Sequence, residues 1–231
     1  MDKFIYGDIP KSWKNYTSSN NITDIKELVI IQNQETIKKN ADEIISLKEQ
    51  LDNNDNDIIK DECLNDIMLE ELQLFKFPLN RSRMNVMNFP GENIYGFCLG
   101  LVWWHYGGHR LETCRRLQKW KKYQKIWETT NSYMKHFKPD FKYSSVQYNK
   151  NIKCAKHKDG NNIGNSLIIS FGNFTGGRLM VYDENDKVEY IDIKNKFYEF
   201  NGSKVYHQTE DFEGERFSLV FFLLEDNRIK K

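Results

Sequence analysis

The sequence predicts an α+β chain: a helical N-terminal region, then a jelly-roll-like domain of short strands with packing helices. Two observations carry this. Past Pro139 the chain breaks into short apolar runs separated by turn dipeptides such as Gly176-Gly177 and Asn201-Gly202, the pattern of a strand-rich sandwich or barrel. Ahead of it, apolar residues recur at helical spacing through 110–137 and again near the N-terminus. A helix packed outside such a β core completes an α+β domain.

The elements follow in chain order. Over the first fifty residues Ile30, Ile37, Ile44 and Leu51 repeat every seven, with Leu47 at a d-type position. Asn33 and Asn40 occupy the other d-type positions, so an ordinary packing helix competes with a coiled coil. The stretch LDNNDND reads as a linker and 58–75 as an amphipathic helix. The boundary is drawn at 75: residues 1–75 form a helical region suited to oligomerisation or interaction, and 76–231 a second domain with its β core at about 143–225. One long helix is expected over 110–137, with Leu117, Trp120, Tyr123, Trp127, Met134 and Phe137 as its buried stripe. After it come eight strand candidates: YSSVQYN, IKCAKH, SLIISFG, RLMVYD, VEYIDI, KFYEF, SKVYH and RFSLVFFLL.

Composition narrows the classes. A chain of 231 residues has room for one full core and an accessory region. Its net charge of +1 gives no overall field toward nucleic acid or membrane, and 14% aromatic residues mark a folding chain. Charge is uneven locally, with eight acids in 52–71 against Lys60 and seven Lys/Arg in 109–125 against Glu112. Cys63, Cys98, Cys114 and Cys154 form no C-x-x-C pair, so neither a zinc ribbon nor a disulfide framework is expected. No apolar leader and no membrane span is found. The expectation is a soluble protein of a reducing compartment, cytoplasmic or nuclear.

The chemistry lies in two short stretches. His157-Lys158-Asp159 is followed fifty residues later by His207. Two histidines and one carboxylate hold one face of a non-heme Fe(II) ion and leave the other open to substrate and O2. Arg216 and Ser218 follow on an apolar strand, two apart and therefore on one face. A buried arginine needs a partner, and its fork matches a carboxylate best. A dicarboxylate such as 2-oxoglutarate meets that need, with the Ser218 hydroxyl in support.

With these residues in place, 143–224 resembles the Fe(II)/2-oxoglutarate-dependent dioxygenases, whose core is a double-stranded β-helix. The resemblance implies His157, Asp159 and His207 as catalytic metal ligands and Arg216 with Ser218 as the keto-acid clamp. It implies Fe(II), 2-oxoglutarate and O2 as cofactors, and succinate and CO2 as co-products. Tyr148 sits where some members place a tyrosine against the keto acid, though a cross-strand core aromatic explains it equally. Asn149, the Asn162/Gly164/Ser166 spacing, Gly172-Asn173-Phe174 and Gly176-Gly177 are most similar to the nucleobase-oxidising branch, the TET and base J thymine hydroxylase-like enzymes. Asn149 is thereby assigned to the cofactor and Asn162 to the substrate. The cysteine-rich zinc-binding region of TET enzymes has no counterpart here.

Substrate hints are fewer. The basic face of 110–125 (Arg110, Arg115, Arg116, Lys119, Lys121, Lys122, Lys125) is suited to phosphates, with Trp103, Trp104 or His105 near a flipped base. A solvated helix face explains the same charges. Peptidyl hydroxylation is the alternative activity. A non-catalytic binding module is the third reading, and it would require a broken ligand set, whereas this set is whole.

Overall fold

Side-chain alternation along the strands places a helix on one side of the larger sheet and a cleft on the other. The computed structural model describes residues 56–80, 93–104, 110–160 and 162–224. The chain divides into two units, Met1–Phe75 and Lys76–Lys231. In the first, α1 (Asn56–Leu74) carries buried Met68 and Leu72 at the i,i+4 spacing of one helix face. The heptad from Ile30 to Leu51 lies outside the described residues.

The second unit runs β1 (Tyr95–Trp104), β2 (Arg110–Thr113), α2 (Arg115–Lys119), α3 (Lys121–Phe137), β3 (Ser145–Lys150), β4 (Ile163–Phe171), β5 (Phe174–Gly176), β6 (Leu179–Tyr182), β7 (Val188–Ile191), β8 (Tyr198–Phe200), β9 (Tyr206–Thr209), β10 (Phe212–Gly214) and β11 (Phe217–Leu223). The larger sheet has the order β2-β1-β3-β11-β4-β8 and the smaller β7-β6-β9, with β10-β5 a separate pair. A bridge between His157 and His207 adds the segment before β4 to the smaller sheet. Followed along the chain, β3, β4, β8 and β11 alternate with the His157 segment, β6–β7 and β9. That winding between two antiparallel sheets is a double-stranded β-helix.

Period-two alternation separates the two faces of the larger sheet. Val146 and Tyr148 of β3, Leu167, Ile169 and Phe171 of β4, and Phe217, Leu219 and Phe221 of β11 are all buried at 1% exposure or less. This is the face that α3 covers: Tyr133 meets Phe171 edge-on at 5.7 Å, and Tyr123 meets Phe97 of β1 at 5.1 Å. Gln147, Asn149, Ser218, Val220 and Ile168 point the other way, into a cleft. Between the sheets, Ile168, Leu179, Ile193 and Phe200 pack as a second apolar cluster.

Two expectations are corrected. The single helix over 110–137 is three pieces, because Arg110–Thr113 pairs with β1 from Trp104↔Arg110 to Leu101↔Thr113. There the demand of β1's backbone for partners outweighs local helical preference. Trp120 is extended (φ −129, ψ 118) between α2 and α3, and at 48% exposure it leaves the predicted buried stripe. Ile126, Thr130 and Tyr133 fill that stripe instead, beside Tyr123 and Met134. The IKCAKH strand reduces to isolated bridges at Cys154 and His157.

Tyr148 settles in the core. Its ring stacks on Phe97 at 4.7 Å and 14°, and its hydroxyl donates to Thr130 Oγ1 at 2.8 Å. Burial pushes its phenol well above the ordinary range. Asn149, its neighbour, faces the cleft, so strand alternation turns Tyr148 away from any keto acid there. Tyr148→Phe is expected to cost about 1 kcal/mol in denaturant unfolding and to leave 2-oxoglutarate affinity unchanged. A loss of affinity would return Tyr148 to the cofactor.

Candidate metal centre

Each ligand is placed by backbone pairing rather than by its side chain. His157 N–H donates to the His207 carbonyl and His207 N–H to the His157 carbonyl, both at 2.9 Å. This reciprocal pair brings the imidazole centroids to 4.3 Å. The Nδ1 of His157 lies 2.7 Å from the Ala155 carbonyl and that of His207 lies 3.2 Å from the Val205 carbonyl. A carbonyl only accepts, so each ring carries its proton on Nδ1 and keeps the Nε2 lone pair for a metal. Asp159 N–H donates to the Gly202 carbonyl at 2.9 Å, which turns the carboxylate toward His157, with Oδ1 3.8 Å from Nε2. One ligand atom from each of the three residues lies within 4.8 Å of the others. Two imidazoles and a carboxylate at that separation fit Fe(II) or a similar divalent ion.

The Asp159 carboxylate is itself held. Asn162 Nδ2 donates to its Oδ2 at 2.8 Å and lies 3.2 Å from Ser166 Oγ. Gly202 leaves room on the other side, since a Cβ there would come within 2.5 Å of Oδ2. Asn162, which the sequence assigned to the substrate, is here a hydrogen-bond partner of the Asp159 carboxylate.

Arg216 occupies the far end of the same cleft. Its backbone is fixed by Asn151, whose N–H donates to the Arg216 carbonyl at 2.7 Å and whose Oδ1 accepts the Arg216 N–H at 2.8 Å. Asn151 takes φ 53, a left-handed conformation that asparagine tolerates. The guanidinium lies against the Phe174 and Phe212 rings, 5.5 Å from each centroid. Its Nε donates to the Gly177 carbonyl at 3.1 Å, and a Cβ on Gly177 would press within 3.0 Å of the side chain. Among the described residues no carboxylate pairs with it, although it is only 3% exposed. Burial lowers its pKa to about 10, so it remains a cation at neutral pH. An unpaired buried cation facing a cleft is a site for an anion.

The cleft has a volume of about 90 Å³. It brings together His157, Asp159, His207, Arg216, Ser218, Asn149 and Asn162, and adds Gln147, which the sequence reading passed over. Tyr148 and Trp103 do not line it; Trp103 pairs across β1 with Leu111. His105 and the side chains of Trp104 and Arg110 lie outside the described residues. The basic residues Arg115, Arg116, Lys119, Lys121, Lys122 and Lys125 belong to α2 and α3, and α3 packs on the sheet face opposite the cleft. No helix among the described residues is long and apolar enough to cross a membrane.

Asn162→Ala is expected to weaken Mn(II) binding by about tenfold to a hundredfold, the usual effect of removing a partner of a metal ligand. Titration of Mn(II) into apoprotein checks this, and an unchanged affinity would return Asn162 to the substrate. Gly202→Ala should act in the same direction by displacing Asp159.

No protein-family model and no curated protein sequence matches the chain. Solved structures do resemble it. NgTET1 in complex with 5mC DNA is 16% identical with a TM-score of 0.39, covering 56% of this chain and 61% of that one. This chain thus spans less than two-thirds of the NgTET1 structure. An oxidoreductase of the 2OG-Fe(II) oxygenase family from Burkholderia pseudomallei is 16% identical with a TM-score of 0.42, covering 68% of this chain and 75% of that one. A Pseudomonas putida prolyl-4-hydroxylase is 11% identical with a TM-score of 0.40, covering 70% and 87%. By its own strand order and bridge, the chain has a double-stranded β-helix fold.

Proposed function

We propose that the protein is an Fe(II)- and 2-oxoglutarate-dependent dioxygenase that hydroxylates a C–H bond and releases succinate and CO2. The observation that carries this reading is one cleft holding both a two-histidine, one-carboxylate ligand set and a buried arginine without a carboxylate partner. A structural ion site needs the first and not the second. A simple anion pocket needs the second and not the first.

Bound Fe(II) would supply O2 activation and the oxidative decarboxylation of the keto acid. The chain's residues do the rest. His157, Asp159 and His207 occupy one side of the metal and leave the other for ligands that exchange. Arg216 and Ser218 grip the distal carboxylate and so aim the keto-acid end at the ligands. Ile168, Leu179, Phe200 and Val220 line the cleft with apolar surface, which limits water at the reacting end.

The substrate we put first is a nucleobase of DNA or RNA. Its support is a surface pair next to the ligand segments in sequence: Lys158, between His157 and Asp159 in the chain, holds its ammonium 4.5 Å from the ring centroid of Tyr206, itself 47% exposed. A cation and an exposed aromatic ring on one surface suit a phosphate and a base. Peptide substrates form the second arm of the test.

Asp159→Ala should abolish Fe(II)-dependent succinate formation while leaving the chain folded; retained turnover would end the ligand assignment. Arg216→Lys keeps the charge and loses the fork, so 2-oxoglutarate affinity should fall by about tenfold or more, with Ser218→Ala costing less. Succinate release screened over methylated DNA, RNA and peptides, with mass spectrometry of products, decides the substrate. Turnover on peptides alone would overturn the nucleobase assignment.

A further inference from the structure

We propose that Gln147 is a positioning residue for the keto-acid clamp: its amide fixes the direction of a buried hydrogen-bond chain that makes Ser218 a proton donor. The proposal rests on the dioxygenase reading above. Gln147, Asn149 and Ser218 lie on the cleft face of β3 and β11, where Ser218 pairs with Asn149 and Val220 with Gln147. Each of the three is 5% exposed, so water does not scramble their hydrogen bonding.

The direction is set at one end by a group that cannot change role. Gln147 Nε2 donates to the Tyr148 backbone carbonyl at 3.0 Å, and a carbonyl only accepts. The nitrogen end of the amide is thereby fixed. The same NH2 donates to Asn149 Oδ1 at 3.0 Å, which turns Asn149 so that its Nδ2 donates to Ser218 Oγ at 3.2 Å. Ser218 is left as an acceptor on that side, and its own proton is available on the other. Among the described residues no acceptor takes that proton, and none takes the terminal nitrogens of Arg216 on the same face. Both sets of donors belong to residues that line one cleft, where an acceptor-only group such as a carboxylate satisfies them. If the chain ran the other way, Gln147 would set its oxygen against the Tyr148 carbonyl, and Ser218 would spend its proton on Asn149.

Gln147→Glu replaces the fixed donor with an acceptor. Asn149 must then turn its NH2 toward the new carboxylate and offer Oδ1 to Ser218, withdrawing the proton from the clamp. Calorimetric titration of 2-oxoglutarate into the Mn(II)-loaded full chain is expected to show a loss of about fivefold, close to that of Ser218→Ala, with Mn(II) affinity unchanged. In the Ser218→Ala background the same substitution should cost less than about twofold. Repulsion by the added charge, or general damage to the fold, would persist in that background. Gln147→Met removes the lock without adding charge and should lose affinity with the same dependence on Ser218, and it serves if the glutamate variant does not fold. Wild-type affinity in a folded variant, or an equal loss with and without the Ser218 hydroxyl, overturns the proposal. Wild-type protein that binds Mn(II) but no 2-oxoglutarate overturns the dioxygenase reading itself, and the proposal with it.

Discussion

The site depends on a single antiparallel contact, the reciprocal pair of backbone hydrogen bonds between His157 and His207. It joins two segments fifty residues apart, and no side chain of either takes part in the pairing. Because the bonds are backbone ones, they occupy neither imidazole, and the facing strand positions put both rings on one side. The rest of the arrangement follows from that contact. Asp159 is two residues from His157 and so returns to the same face. Gly202, five residues before His207, meets Asp159 through its carbonyl. Closing such a long loop is costly in chain entropy, and the two sheets that flank the contact provide the packing that offsets it.

The larger sheet then works as a partition. One face is aromatic and dry, covered by α3, and the other carries Gln147, Asn149 and Ser218 toward the cleft. Burying three polar side chains in a row is tolerable only when each has a partner. Here they partner one another in sequence, so a strand register that preserves the apolar face also preserves the hydrogen-bond chain. A slip of one residue would lose both together.

Much of this was legible in the residues. The gathering of His157, Asp159, His207, Arg216 and Ser218 in one cleft could be read because chemistry and spacing agreed: H-x-D and R-x-S each place two functional groups on one face of an extended chain. Period two also held an answer that was not used. If Asn149 faces the cleft then Tyr148 cannot and Gln147 must, which takes one residue out of the cleft and puts another in it. What the pattern could not disclose is tertiary. Arg110–Thr113 has helical spacing, yet it pairs with β1 because that strand's backbone requires it. Trp120 reads as core, yet it stands exposed where α2 and α3 part. Asn162 reaches Asp159 across the turn that follows the H-x-D, and spacing alone does not distinguish a side chain bonded to a ligand from one aimed at a substrate.

The position of Arg216 has a consequence for the energetics of turnover. On the dioxygenase reading, the carboxylate it grips is the one the reaction leaves untouched, because decarboxylation removes carbon from the opposite end. The spent co-substrate therefore keeps its anchor. Binding energy at this end is shared equally by reactant, transition state and product, and such uniform binding sets occupancy without lowering the chemical barrier. Rate acceleration has to arise at the ligand end of the cleft, and succinate is retained by the same contacts that admitted its precursor.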